Sequence, residues 1–96
     1  IIANVNDTHN LEIAIERKAK VLLEKGELDS AFSTITSVEA TSMKFQFLGT
    51  QGDILIAQNK TDEAKAAYES AIAIGKEKNF AVKFLKLKLN DLSVAQ

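Results

Sequence analysis

Gly52-Asp53-Ile54-Leu55-Ile56-Ala57-Gln58-Asn59-Lys60-Thr61-Asp62-Glu63-Ala64-Lys65-Ala66-Ala67-Tyr68 decides the fold. Its first half ends a helix that carries Phe45, Leu48, Gly52, Leu55 and Ile56 at three- and four-residue steps. Asn59 tolerates a left-handed turn, so the helix is expected to end near it. Thr61 then reads as the N-cap of a second helix, with Asp62 and Glu63 placed against its positive end. Ala64, Ala67, Tyr68, Ala71 and Ile72 form the buried face of that helix, and Gly75 is expected to close it.

Moved back by 33 residues, the same pattern recurs without a gap. Asn59 falls on Gly26, Ala64 on Ala31, Tyr68 on Ile35 and Ala71 on Val38. The preceding helices match too: Leu48 falls on Ile15, Gly52 on Ala19 and Leu55 on Leu22. Upstream, a helix from Asn10 buries Leu11, Ala14, Ile15, Ala19, Leu22 and Leu23, with Glu12, Glu16 and Lys20 opposite. Glu16 and Lys20 form a favourable pair four apart. Gly26 supplies a left-handed cap, and the next helix carries Leu28, Ala31, Phe32, Ile35 and Val38. Thr41 or Ser42 is the expected N-cap of the helix after it.

Two helices per unit at a period near 34 residues mark a tetratricopeptide repeat. The expected architecture is all-α, a tetratricopeptide-like α-solenoid of two helix-turn-helix repeats and a capping helix. The repeats cover about residues 12–44 and 45–77 within a domain of residues 10–96. The cap runs over about 78–94, with Phe80, Ala81, Phe84, Leu85, Leu89 and Leu92. Residues 1–9 read as a lead-in or the end of an earlier helix. Small residues (Ala19, Gly52, Ala31, Ala64) let paired helices approach, while Leu22, Leu55, Ile35 and Tyr68 fill the space beside them. With Gly26, Leu48 and Ala71 these are the repeat-packing positions. Such pairs bury their apolar surface only by stacking on neighbours.

Composition narrows the function. The chain has 96 residues, the size of one domain, and 46% are hydrophobic. No run of eighteen apolar residues occurs, so nothing here is expected to span a bilayer. A net charge of -1 gives no global attraction to nucleic acid. The absence of cysteine removes disulfides and thiolate chemistry, and the absence of proline with only four glycines favours helix. The chain opens on Ile1, so it is read as a fragment or processed form with room upstream for a targeting or anchoring segment.

No catalytic constellation is legible. His9 is the sole histidine, so neither a metal cluster nor a serine triad assembles around it. Gly49-Thr50-Gln51-Gly52 lacks the Lys-Ser/Thr of a phosphate loop and lies inside a helical pattern. Neither an enzymatic activity nor a cofactor is therefore expected. A protein-binding surface is expected instead. The first helix of each pair builds the concave wall of such arrays, which gives Ile13, Glu16, Lys20 and Leu23, then Gln46, Gly49, Asp53 and Ile56. Phe80, Phe84 and Leu87 make an extra apolar stripe, expected to be enclosed more than exposed, with Lys83 and Lys86 beside it. Lys76, Lys78, Lys83, Lys86 and Lys88 are opposed in that segment only by Glu77 and Asp91; they are expected first as a solvated helix face, with contact to an acidic partner or anionic lipid as the alternative.

A narrower likeness also covers about residues 10–93. Gly52-Asp53-Ile54-Leu55-Ile56-Ala57-Gln58, Asp62-Glu63-Ala64-Lys65-Ala66-Ala67-Tyr68 and Leu87-Lys88-Leu89-Asn90-Asp91-Leu92 resemble the YfgM-like family, as does Ala19-Lys20-Val21-Leu22-Leu23 with Gly26 and Ala31. The resemblance implies an ancillary subunit of the SecYEG translocon, anchored in the bacterial inner membrane. Its repeat domain would stand in the periplasm beside the chaperone PpiD. The alternative is a cytoplasmic repeat adaptor with an unrelated protein partner.

Overall fold

The computed structural model describes residues 5–94. These form five α-helices and no strand: α1 (Val5–Glu24), α2 (Leu28–Ile35), α3 (Lys44–Ala57), α4 (Thr61–Glu77) and α5 (Lys83–Val94). The fold is an all-helical, tetratricopeptide-like solenoid.

Three helices end by one device. Gly26, Asn59 and Asn79 adopt φ of 81°, 64° and 60°. After each, the chain folds back on the last turn. Glu27 N–H donates to Leu22 O at 2.9 Å, Lys60 to Leu55 at 2.8 Å and Phe80 to Gly75 at 2.7 Å. A second bond, spanning three residues, runs from the left-handed residue in each case, Gly26 to Leu23, Asn59 to Ile56 and Asn79 to Lys76. The carbonyls left free at a helix end are thus satisfied.

Several expected boundaries move. α1 begins at Val5, so residues 5–9 are helix, while the rest of the expected lead-in lies outside the described residues. α2 stops at Ile35 and leaves Val38 in a loop. There Thr36 Oγ1 donates to Phe32 O at 2.7 Å, and Ser37 Oγ to Thr34 O at 2.7 Å. These hydroxyls offer the carbonyls an alternative to further helix. Neither Thr41 nor Ser42 caps α3, whose N-cap is Met43, and Thr61 is the first residue of α4 after an N-cap at Lys60. Gly75 does not close α4. It is buried inside the helix, where a Cβ would lie 2.3 Å from Val82 Cγ1 and 2.7 Å from Phe45 Cε1. Its smallness admits the α4–α5 loop, and Asn79 does the closing. α5 starts at Lys83, which puts Phe80 and Ala81 in that loop.

α3 is the axis of the molecule because it is apolar on more than one side. Phe47 and Ile54 join Ala19, Ala31, Ile35, Ala40 and Met43 in one cluster. Leu55 joins Ala64 and Ala67 in a second. Phe45 and Leu48 pack against a third, made of Tyr68, Ala71, Ile72 and Leu85. Tyr68, Ile35, Ile54 and Leu85 are the largest fully buried side chains. Each such aliphatic burial stabilises by about 1.5–3 kcal/mol.

The expected small-residue contact is present at Gly52. A Cβ there would stand 2.5–2.9 Å from the ring of Tyr68. Ala19, Ala31, Ala64 and Ala71 are 0% exposed. Leu22 and Leu48 are partly buried against the clusters. Gly26, expected among the packing residues, is exposed, and a Cβ there would meet nothing within 4 Å, so its part is conformational. Leu11 and Ala14 are exposed rather than buried, and Glu12, expected on the solvent side, is 2% exposed. The buried face of α1 is therefore rotated from the one its apolar spacing suggests.

Candidate functional site

A groove of about 330 Å³ runs between α1, α3 and α5. α1 contributes Glu16 and Lys20. α3 contributes Phe45, Gln46, Gly49, Thr50 and Asp53. α5 contributes Phe84, Leu85 and Lys88. On α3 these residues recur every three or four positions, which keeps them on one side of the helix.

The charges in the groove are matched within it. Lys20 Nζ lies 3.6 Å from Glu16 Oε1. Thr50, 4% exposed, donates through Oγ1 to Glu16 Oε2 at 3.4 Å. Lys88 Nζ pairs with Asp53 Oδ1 at 2.8 Å, and the Tyr68 hydroxyl donates to the same oxygen. The Lys88 ammonium also lies over the Phe84 ring, 4.9 Å from its centroid, and 5.8 Å from that of Tyr68. Asp53 thereby ties α3 to both α4 and α5. Burial pushes the Tyr68 hydroxyl well above its ordinary range, and the bond to Asp53 and the charge of Asp53 push it further. Tyr68 is thus a neutral donor at any physiological pH. A ligand in this groove meets paired charges and the apolar surfaces of Phe45, Phe84 and Leu85. The site suits uncharged or apolar side chains.

A second crevice of about 280 Å³ lies against the α2–α3 loop, lined by Ile35, Thr36, Val38, Glu39, Ala40, Lys44, Phe47, Leu48 and Gln51. Glu12 holds that loop. Its Oε1 accepts from Met43 N–H at 2.9 Å, Thr41 N–H at 3.2 Å and Ser42 Oγ at 3.4 Å, and its Oε2 from Thr41 Oγ1 at 3.0 Å. Burial raises the pKa of this carboxyl, but the four hydrogen bonds outweigh it and hold the group below its ordinary value. His9 Nδ1 lies 3.0 Å from Ser42 Oγ and adds a tether to the same loop. Among the described residues no group of three His, Cys, Asp or Glu could hold a metal ion, and no helix is long and apolar enough to cross a membrane.

The structure gathers Glu16, Lys20, Gln46, Gly49, Asp53 and Phe84 of the expected binding residues into the groove. Ile13, Leu23 and Ile56 do not join them. They pack against the clusters, because the rotation of α1 and the central place of α3 turn them inward. The Phe80, Phe84 and Leu87 stripe is not enclosed: these side chains are 41%, 55% and 56% exposed. The late start of α5 leaves too little helix to wrap both sides. Lys83, Lys86 and Leu87 stand outside the groove. Sequence reasoning missed Thr50 and Lys88 as groove residues. Thr50 sits on the Gln46–Asp53 stripe, so its spacing was a usable signal; the pairing of Lys88 with Asp53 crosses 35 positions and had none.

A family model described as a tetratricopeptide repeat-like domain matches residues 1–94. No curated protein and no solved structure matches the chain.

Proposed function

Because the chain belongs to the tetratricopeptide repeat-like family, we propose that it is a protein-interaction scaffold standing in the periplasm, part of a membrane-anchored ancillary subunit of the SecYEG translocon that works with the chaperone PpiD. Tetratricopeptide-like domains typically bind proteins and are generally non-catalytic. The observation that carries the scaffold reading is the groove between α1, α3 and α5, with its internally paired charges and exposed Phe84. Buried apolar anchors dominate interface energy, while exposed charges mainly guide encounter. The support for the translocon is the likeness of the α1, α3, α4 and α5 strings to the YfgM-like family.

Gln46 is exposed on the groove wall and makes a suitable attachment point for a photo-crosslinker. Crosslinked products in bacterial envelopes should contain SecYEG subunits or PpiD, and Phe84→Ala should deplete them through faster dissociation. Products made only of cytoplasmic proteins would reject the periplasmic placement and leave an adaptor of the same fold.

A further inference from the structure

We infer that the outer face of α5 rests on an anionic phospholipid surface. Leu85 is 2% exposed and faces the core. Two residues to either side, Lys83 and Leu87 project from the opposite side of the helix, since each step turns the chain by about 100°. Phe84 and Lys86 flank them. Phe84 and Leu87 are 55% and 56% exposed, and Phe80 follows at 41% in the adjoining loop. Lys76, Lys78, Lys83 and Lys86 are all exposed, and among the described residues neither Lys83 nor Lys86 is ion-paired. Asp91, one turn after Leu87, bounds the patch.

Lysines around exposed Phe and Leu are the composition of a helix that lies in a membrane interface. The charge selects among the possible occupants. A second copy seated face to face would bring two sets of four lysines together with only Glu77 and Asp91 of each to offset them. A protein partner would anchor on pockets, yet Phe80, Lys83, Lys86 and Leu87 lie outside the groove and outside the crevice at the α2–α3 loop. Lipid needs no pocket: Leu87, outside the groove, enters the headgroup region while the ammonium groups meet phosphate. This contact is separate from the groove, so one surface could hold the domain flat against lipid while the other stays open.

Co-sedimentation of the chain with vesicles tests it. Vesicles containing phosphatidylglycerol should carry the chain down at low salt and release it as salt is raised, whereas phosphatidylcholine vesicles should leave it in solution. Lys83→Glu with Lys86→Glu should weaken binding by at least about twenty-fivefold, at roughly fivefold for each lysine lost. Leu87→Ala should weaken it by about fivefold. Both variants alter exposed positions, and an unchanged circular dichroism spectrum would show that the fold is kept. Equal binding to the two vesicle types, binding untouched by the lysine variant, or no binding at low salt would overturn the inference. So would sedimentation showing a dimer that Leu87→Ala dissolves. None of these results bears on crosslinking at Gln46, so the groove reading stands or falls by itself.

Discussion

Gly52 leaves its space to the ring of Tyr68, and repeat one fills the same two places with Ala19 and Ile35. The sizes trade off: a larger residue on the second helix goes with a smaller one on the first. Gly52→Ala brings a methyl group to within 2.9 Å of a ring that is 0% exposed and has no room to retreat. Overpacking of about 1–3 kcal/mol then opposes a helix-propensity gain of about 1 kcal/mol. A net loss in thermal stability is expected, and adding Tyr68→Ile should recover part of it. Tyr68 is also the only tyrosine, and tryptophan is absent, so its ionisation can be followed without overlap. Its folded pKa is raised, so its contribution to stability is present below the ordinary value of 10.0 and is lost as pH rises beyond it. Phenolate absorbance should therefore stay flat through pH 10 and rise only as the protein unfolds. Asp53→Asn should bring it in at lower pH.

At the scale of elements, the 33-residue register made Gly26 and Asn59 legible as equivalent ends, because left-handed backbone favours those two residue types. The same logic misassigned Gly75. A glycine marks either a left-handed turn or a close approach, and only the neighbours Val82 and Phe45 decide which. Glu12 was hidden for a related reason: a charge reads as a solvent-facing residue, and its partners lie about thirty positions away. That tether gives a pH prediction. Its folded pKa is depressed, so its stabilisation is present above the ordinary value of 4.5 and is lost as pH falls toward the lower folded value. Glu12→Gln should be less stable than the parent at neutral pH, and the gap measured by urea unfolding should shrink in acid. Between α3 and α4, Ala64 is 0% exposed beside Leu55 and Ala67. Ala64→Leu should cost about 1–3 kcal/mol by overpacking, read as a lowered melting temperature. An unchanged melt would place the close approach elsewhere.

At the scale of the whole molecule, most of the groove was readable because it follows helix periodicity, whereas its depth and its third wall depend on where α5 begins. Binding assays on the whole domain separate the two surfaces. Phe84→Ala should speed dissociation of a groove-bound protein. Lys83→Glu with Lys86→Glu, outside the groove, should leave that off-rate unchanged. The division of the interior into clusters that meet along α3 also sets how the domain answers tension. Pulled at its ends, it passes load through α3, which gives Phe47 and Ile54 to the cluster with α1 and α2, and packs Phe45 and Leu48 on the cluster of α4 and α5. The weaker stretch yields first. Each 33-residue unit that gives way can extend to about 110 Å at roughly 3.3 Å per residue, and releases that length less its folded span. The domain is therefore expected to act as an extensible link that pays out chain in steps, which single-molecule pulling would read.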